Sequence, residues 1–277
     1  MALLWNIRQT IQSLSNEKWL TKGCIKIGAG LSSYVDHVIY NSSLSAVQHQ
    51  NLGYSSKNGI ILPNGFDLDE FNIDLKARNS FRIELGVSQS QFLVGYIARF
   101  HPKKDHKTFV RAANKIAIAN PDVRFVLVGR DLLSTNGELS SMLASMNLEG
   151  KIFLMGERND IPQINAALDV AVSTSAWGEG FPNVIGEAMA SGVPCVVTDV
   201  GESARVVGDT GKVVQPENPT ALSTALLSLL SLSDIERRRL GESARQRIAE
   251  EFSISNVSEM YESLYVSSWS KANQIVN

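Results

Sequence analysis

From Phe92 onward the chain alternates short apolar runs with segments in which apolar residues recur every three or four positions. Phe92–Ala98, Arg124–Val128, Lys151–Met155, Asp169–Thr174 and Pro194–Asp199 are rich in Val, Ile, Leu and Phe, with little apolar–polar alternation. Strands of that composition are buried on both faces, which predicts a parallel sheet. Helices are expected between them. One is capped by Asp105 and carries Phe109, Ala112, Ala113 and Ile116 on one stripe; others run from Gly137 to about Asn147 and from Pro182 to Ser191. Such repetition, with right-handed crossovers, gives a doubly wound α/β domain, expected over residues 65–250.

Residues 1–64 carry a shorter version of the pattern: an apolar stub Ala2–Asn6, helical stretches near Ile7–Leu31, a strand Val35–Tyr40, a short helix Ser45–Leu52 and a strand Gly59–Leu62. They read as the later part of a second Rossmann-like domain, left through the turn Pro63-Asn64-Gly65. The tail is expected to be two charged amphipathic helices, Asp234–Ala249 and Ile254–Asn277, with 251–277 as a separate C-terminal segment. A length of 277 residues suits this division: it is long for one domain of ~100–150 residues and short for two nucleotide-binding domains.

Composition narrows the class. Lys and Arg number 26 against 28 Asp and Glu, a formal charge of −2, so there is no basic footprint for nucleic acid. The 44% hydrophobic and 19% charged content is that of a folded chain. Cys24 and Cys195 make neither a disulfide framework nor a metal spacing and suit a reducing cytosol. No run approaches the ~18–20 apolar residues of a membrane span, and no signal pattern opens the chain. A cytoplasmic protein is expected.

Two stretches carry candidate chemistry. In Ser173-Thr-Ser-Ala-Trp-Gly-Glu-Gly-Phe-Pro-Asn-Val-Ile-Gly-Glu-Ala-Met-Ala190 a strand ends, a Gly-rich loop carries Glu179, and a helix begins near Pro182 with Glu187 inside it. A helix N-terminus presents unpaired N–H groups and partial positive charge, a ready phosphate site. In Gly95-Tyr-Ile-Ala-Arg99-Phe-His-Pro-Lys-Lys104 a strand is followed at once by Arg99 and then Lys104. Open α/β sheets place ligands at such carboxyl ends, and two cations there can stabilise the charge on a departing diphosphate.

In this order and spacing the two stretches resemble the donor-binding half of retaining GT-B glycosyltransferases, the family usually numbered four. The matching pieces are Arg99 with Lys104, the EGFPNVIGEAMA motif from Glu179 through Glu187, SGVPCVVTDVG at 191–201, and VIYNSS at 38–43 with GIILPNGFDLDEF at 59–71. The resemblance implies a GT-B architecture, with 251–277 as a C-terminal helix crossing back to the first domain, and transfer of a hexose from a nucleoside diphosphate sugar to a glycan or lipid-linked acceptor. It implies retained configuration and no metal or other cofactor. Arg99 and Lys104 would hold the diphosphate, Glu179 the hydroxyls of the donor sugar, and Glu187 the ribose. Gly180 and backbone groups of Phe181, Pro182, Asn183 and Val184 would meet sugar and phosphate; Pro182 stands where the family often has glycine and supplies no N–H. Arg158 is a candidate wall of the base pocket. Residues Asn6 to Arg8 fall where relatives approach the sugar. Roughly a hundred preceding residues, most of a domain, would be absent, so a partner supplying that half is one expectation. The alternatives are a truncated protein that binds nucleotide-sugar without turnover, or a sugar-nucleotide epimerase, against which the EGFPN motif argues.

Other motifs fail. Asp67-Leu-Asp69 spells a metal-binding DxD but follows Asn64-Gly65, where acidic caps are common; Gly28-Ala-Gly30 lacks the third fingerprint glycine, and Gly208–Lys212 is too short for a P-loop. His37, His49, His101 and His106 lack ligand spacing, and the last two read as solvated loop residues. Lys18, Lys22 and Lys26 recur beside Trp19, Leu20, Ile25 and Ile27, a pattern that fits either a helix packed into its own domain or peripheral contact with the inner face of a membrane.

Overall fold

The computed structural model describes residues 2–274 apart from Gln12 and Glu17. A first unit comprises β1 (Leu4–Ile7), α1 (Trp19–Leu31), β2 (His37–Tyr40), α2 (Ser43–Asn51) and β3 (Gly59–Ile61). Its three strands are parallel, in the order β1-β2-β3. The chain then runs through α3 (Leu75–Glu84), β4 (Phe92–Ile97), α4 (His106–Ala119), β5 (Val123–Val128), α5 (Gly137–Ser145) and β6 (Ile152–Leu154). It continues through α6 (Ile161–Ala167), β7 (Val170–Ser173), α7 (Asn183–Ala190), β8 (Cys195–Thr198), α8 (Ser203–Val207), β9 (Lys212–Val214) and α9 (Pro219–Leu230). Two long helices, α10 (Asp234–Glu251) and α11 (Ile254–Gln274), close it; residues 275–277 of the expected last helix lie outside the described residues.

The second sheet is wholly parallel, in the order β6-β5-β4-β7-β8-β9. The chain winds outward from β4 to β6, then returns to lay β7 on the other side of β4. That reversal is the topological switch point of the sheet. Alternate side chains feed two cores: Leu93, Val126, Ala171 and Val197 pack one face with α7 and α10. Val94, Phe125, Val172 and Val196 pack the other with α4 and α9.

Three expectations need correction. Among the described residues no helix forms before Trp19: residues 8–11 and 13 are irregular, and Leu14–Asn16 is a single 3-10 turn. Ser13 Oγ accepts from Ser15 N, while Ile11 N donates to Gln48 Oε1 at 2.8 Å, so side chains take the donors a helix would use. A sixth strand, β9, and the helices α3, α6, α8 and α9 join the pattern unpredicted. His106 is buried rather than solvated, its ring between those of Tyr96 and Phe100 at 4.9 and 5.1 Å. Asp105 caps α4 through Thr108 N, as expected, in the left-handed conformation (φ 47°). Asp67 accepts from the N–H groups of Asp69 and Glu70, a local turn rather than a ligand.

The two units are joined where the chain crosses twice. Phe66 N donates to Phe252 O and Ile254 N to Phe66 O, at 2.8 and 2.9 Å, pairing the crossings side by side. The rings of Phe66 and Phe252 lie 6.0 and 5.7 Å from that of Phe181. Gly186 makes this possible, because a Cβ there would stand 2.0 Å from the Phe66 ring. Tyr261 of α11 accepts from Asn6 of β1 at 3.2 Å.

At the amino ends of the strands, Asp169 binds Arg78 (2.7 Å), the fully buried Arg82 (3.1 Å) and the Leu93 N–H (2.7 Å). Removing one partner of a buried pair leaves a charge without compensation, at about 3–5 kcal/mol. Asp169→Ala should therefore lower unfolding free energy by about that amount without changing the denaturant slope. A loss under about 1 kcal/mol in urea titration would show that the site relaxes around Arg82.

Candidate active site

The candidate site grows from the neighbouring carboxyl ends of β4 and β7. After β4 the chain turns through His101–Asp105; after β7 it loops through residues 174–182 into α7. The two loops are laced together. The Lys104 carbonyl accepts from Tyr96 Oη and from Thr174 Oγ1, the latter at 2.8 Å, and Ala176 N donates to Lys103 O at 2.8 Å. On this frame Lys104 Nζ meets Glu179 Oε2 at 2.5 Å, and Ser175 Oγ donates to the same oxygen at 2.7 Å. Both side chains of the ion pair are mostly buried, 23% and 15% exposed, so solvent screens it little.

Beside this pair lies a cavity of roughly 420 Å³, lined by Ile97, Arg99, Lys104, Gly129, Arg158 and Val184 among others. Val184 is the second residue of α7, and its N–H makes no backbone hydrogen bond. Four cationic side chains, Arg99, Lys104, Arg130 and Arg158, and the start of α7 thus border one space, an arrangement suited to an anion of phosphate type. A cleft of roughly 470 Å³ lies at the opposite ends of the strands, among Asp74, Arg78, Phe92 and Asp169. There Arg78 and Arg237 are spent on the structural carboxylates of Asp169 and Asp234, and open α/β sheets bind ligands at the carboxyl ends instead.

The sequence-predicted residues divide into groups. Arg99, Lys104, Arg158 and Val184 meet at the cavity, and Glu179 joins through Lys104. Arg158's guanidinium is held by Glu84 at 2.8 Å and Asp160 at 2.6 Å, so it offers an oriented wall rather than an unpaired charge. The Phe181 side chain is buried against Phe66 and Phe252, leaving only its backbone near the loop. Pro182 occupies the capping position of α7, its carbonyl accepting from Ile185 and Gly186. Asn183 Oδ1 accepts from Asn64 at 2.7 Å across the unit boundary. Gly180 sits against Thr10, Asn41 and Ser42 of the first unit.

Glu187 lies one helical layer below the loop. Burial, and next the charge of Glu70, push its carboxyl up to about 7. Ser175 and Thr10 went unremarked in the sequence. The first stood inside the quoted motif, while nothing local marks the second, whose Oγ1 donates to Gly178 O at 2.9 Å. Among the described residues no three His, Cys, Asp or Glu side chains gather as a metal would require.

The family model for glycosyl transferases group 1 matches residues 91–232. A UDP-Gal:alpha-D-GlcNAc-diphosphoundecaprenol alpha-1,3-galactosyltransferase of Escherichia coli is 30% identical over 215 residues, covering 74% of this chain and 53% of its own. The structure resembles that of Anabaena HepE in complex with UDP, at a TM-score of 0.85, 24% identity and coverage of 96% of this chain and 72% of that one. The same protein with UDP and glucose gives 0.83 and 25%, over 95% and 71%. The chain spans about half the length of the curated relatives it matches.

Glu187 makes a pH test. Its folded-state value is raised to about 7 from 4.5, so the folded state binds more protons between those values and stability falls as pH rises through that window. Glu187→Gln mimics the neutral acid. Its stability relative to the parent should therefore grow from pH 4.5 to pH 8, by at most roughly 3 kcal/mol. Denaturation midpoints at several pH values measure this, and a pH-independent difference would refute the burial argument.

Proposed function

Since the chain belongs to the glycosyl transferases group 1 family, we propose that it moves a hexose from a nucleoside diphosphate sugar to a hydroxyl of a glycan or lipid-linked acceptor. The observation that carries this reading is the meeting of Lys104, Arg99 and the α7 N-terminus at one cavity, with Glu179 beside them. The diphosphate lies against Arg99, Lys104 and the Val184 N–H. As the bond to the sugar breaks, negative charge grows on the leaving diphosphate, where these fixed positive groups stabilise it. They serve this role without a metal ion. Lys104 is held by Glu179 in the free protein and turns to the phosphate when donor binds. That releases Glu179 to accept hydroxyls of the sugar. Glu187 receives the ribose hydroxyls, and Arg158, held flat by Glu84 and Asp160, borders the base.

Names of relatives support the substrate class. The E. coli protein uses a UDP-hexose and a diphosphoundecaprenol-linked acceptor, and HepE was solved with UDP and glucose. That relative's name gives an alpha-1,3 product; from an α-linked donor such a product means retention, the outcome we assign here. The edge of β1, paired only with β2 among the described residues, is where we place further strands of a partner completing the acceptor side. No described helix is long and apolar enough to cross a membrane. We assign the protein to the cytoplasm with peripheral contact through α1, whose Trp19, Leu20 and Ile27 are exposed beside Lys18, Lys22 and Lys26.

Hydrogen bonds to a charged group contribute about 1.5–3 kcal/mol, so Arg99→Ala and Lys104→Ala should each lower UDP-glucose turnover roughly 10- to 150-fold. Glu179→Gln frees Lys104, so UDP should bind at least as tightly as before while turnover collapses. Calorimetry beside a hydrolysis assay separates the cases: unchanged turnover in Arg99→Ala or Glu179→Gln sinks the assignment. UDP binding with no turnover in the parent chain points to the binding protein instead.

Sedimentation with phosphatidylglycerol vesicles tests the membrane contact. Each lysine near an anionic surface contributes about 1 kcal/mol, so binding should fall roughly 30-fold in Lys22→Ala/Lys26→Ala, and should weaken in high salt. Equal binding to neutral vesicles, or none to anionic ones, removes the proposal.

A further inference from the structure

The first unit touches the loop that carries Glu179 at three points, and a residue with no chemical role so far joins them. Thr10 Oγ1 donates to Gly178 O at 2.9 Å. Gly180 lies against Thr10, Asn41 and Ser42, where an added Cβ would stand 3.4–3.6 Å from their side chains. The third contact is Glu202. Its Oε1 accepts from the Ser43 N–H, at the first position of α2, at 2.7 Å. Its Oε2 accepts from Arg205 at 3.2 Å. Its own N–H donates to Gly180 O at 3.1 Å. One residue therefore grips the loop through its backbone and the other unit through its side chain.

That carboxylate is 5% exposed. A buried charge costs several kcal/mol unless it is paired and hydrogen-bonded. Here a helix N-terminus and one guanidinium supply the pairing, and both must stay in place for it to be met. The preceding residue tightens the link. Gly201 has φ 63°, and a Cβ on it would lie 2.0 Å from the Glu179 carbonyl oxygen, so its backbone packs directly on that residue. Arg205 extends the chain of contacts, its guanidinium 5.6 Å from the Phe252 ring at the second crossing.

We propose that Glu202 is a positioning residue for Glu179: by holding the N-terminus of α2 and Gly180 together, it sets the donor-loop carboxylate only when the two units are closed on each other. The proposal rests on the glycosyl-transfer reading for its catalytic consequence, though not for the contact itself. Glu202 touches no substrate; it acts through Gly180 and Glu179. The loop loses its register when the first unit moves away, so sugar contacts form in the closed arrangement and relax in the open one.

Hydrogen exchange on the whole chain, read by mass spectrometry over peptides spanning residues 41–46 and 176–182, tests the contact without any ligand. Glu202→Ala should speed exchange at least tenfold in both peptides and leave the β4–β6 peptides unchanged. Glu202→Gln keeps an acceptor for Ser43 N and should stay within about threefold of the parent. With UDP-glucose as probe, Glu202→Ala should lower kcat about tenfold with KM within about threefold, and Gln should restore kcat. Unaltered exchange at 176–182 in Glu202→Ala, or faster exchange spread evenly over both units, overturns the proposal. Equal kcat in the Ala variant and the parent also does. Should Glu202→Ala fail to fold, Thr10→Val keeps shape and removes the grip on Gly178; it should speed exchange at 176–182 alone, and parental exchange there would count against the idea. A parent chain that neither binds nor turns over UDP-glucose defeats the glycosyl-transfer reading, while the exchange data still decide the role of Glu202.

Discussion

Lys104 and Glu179 can pair only because β4 and β7 are neighbours, although 75 positions separate the two residues. The sheet reverses its winding between those strands, so the loops leaving them diverge to opposite faces and open a crevice. Everything else at the site builds on that adjacency. The side chains of Tyr96 and Thr174 converge on the Lys104 carbonyl, and Ala176 N reaches Lys103 O, so hydrogen bonds to main-chain carbonyls hold the loops. Widening the β4–β7 spacing would break the ion pair and the backbone lacing together.

The charge arrangement follows from the same frame. The chain has a formal charge of −2, and any attraction for an anion must therefore be local. It is supplied by Arg99, Lys104 and the start of α7 at one cavity. Arg158 nearby is held by two carboxylates, Glu84 and Asp160, which fixes its guanidinium as an oriented planar surface. His106, directly beneath the Lys104 loop, is driven down to about 4 by burial and then by the lysine's charge. It is therefore neutral at physiological pH and leaves the positive field of the loop to Lys104 and Arg99.

Much of this was legible in the sequence, for reasons that differ by element. Strands buried in the sheet announce themselves as unbroken apolar runs, and β4 to β8 were readable in that way. The strand Lys212–Val214 was not, because it is largely exposed at the edge of the sheet and its place is set by pairing with β8. Asp105 signalled the start of α4, but nothing local marked the irregular path of residues 8–11 and 13. That depends on Gln48 and Gly178, which lie far along the chain. His106 reads as a polar loop residue until Tyr96 and Phe100 fold over it. Glu202 follows directly on a recognisable stretch yet is invisible as a functional residue, since its partner Ser43 lies 159 positions away. What a sequence hides, in each case, is a side chain whose meaning comes from a distant backbone group.

Phe181 shows why the loop and the crossings between units cannot be treated separately. It sits between the two donor-motif features, Glu179 and the start of α7, but its ring packs on Phe66 from one crossing and Phe252 from the other. Those crossings are themselves paired by two backbone hydrogen bonds. A change in angle between the units must turn about this aromatic cluster, and close-packed rings respond by shifting as a group rather than by opening voids. The backbone of residue 181 is then displaced along with them. A motif that looks like a ligand cradle in sequence is thus also packed on the two crossings that join the units.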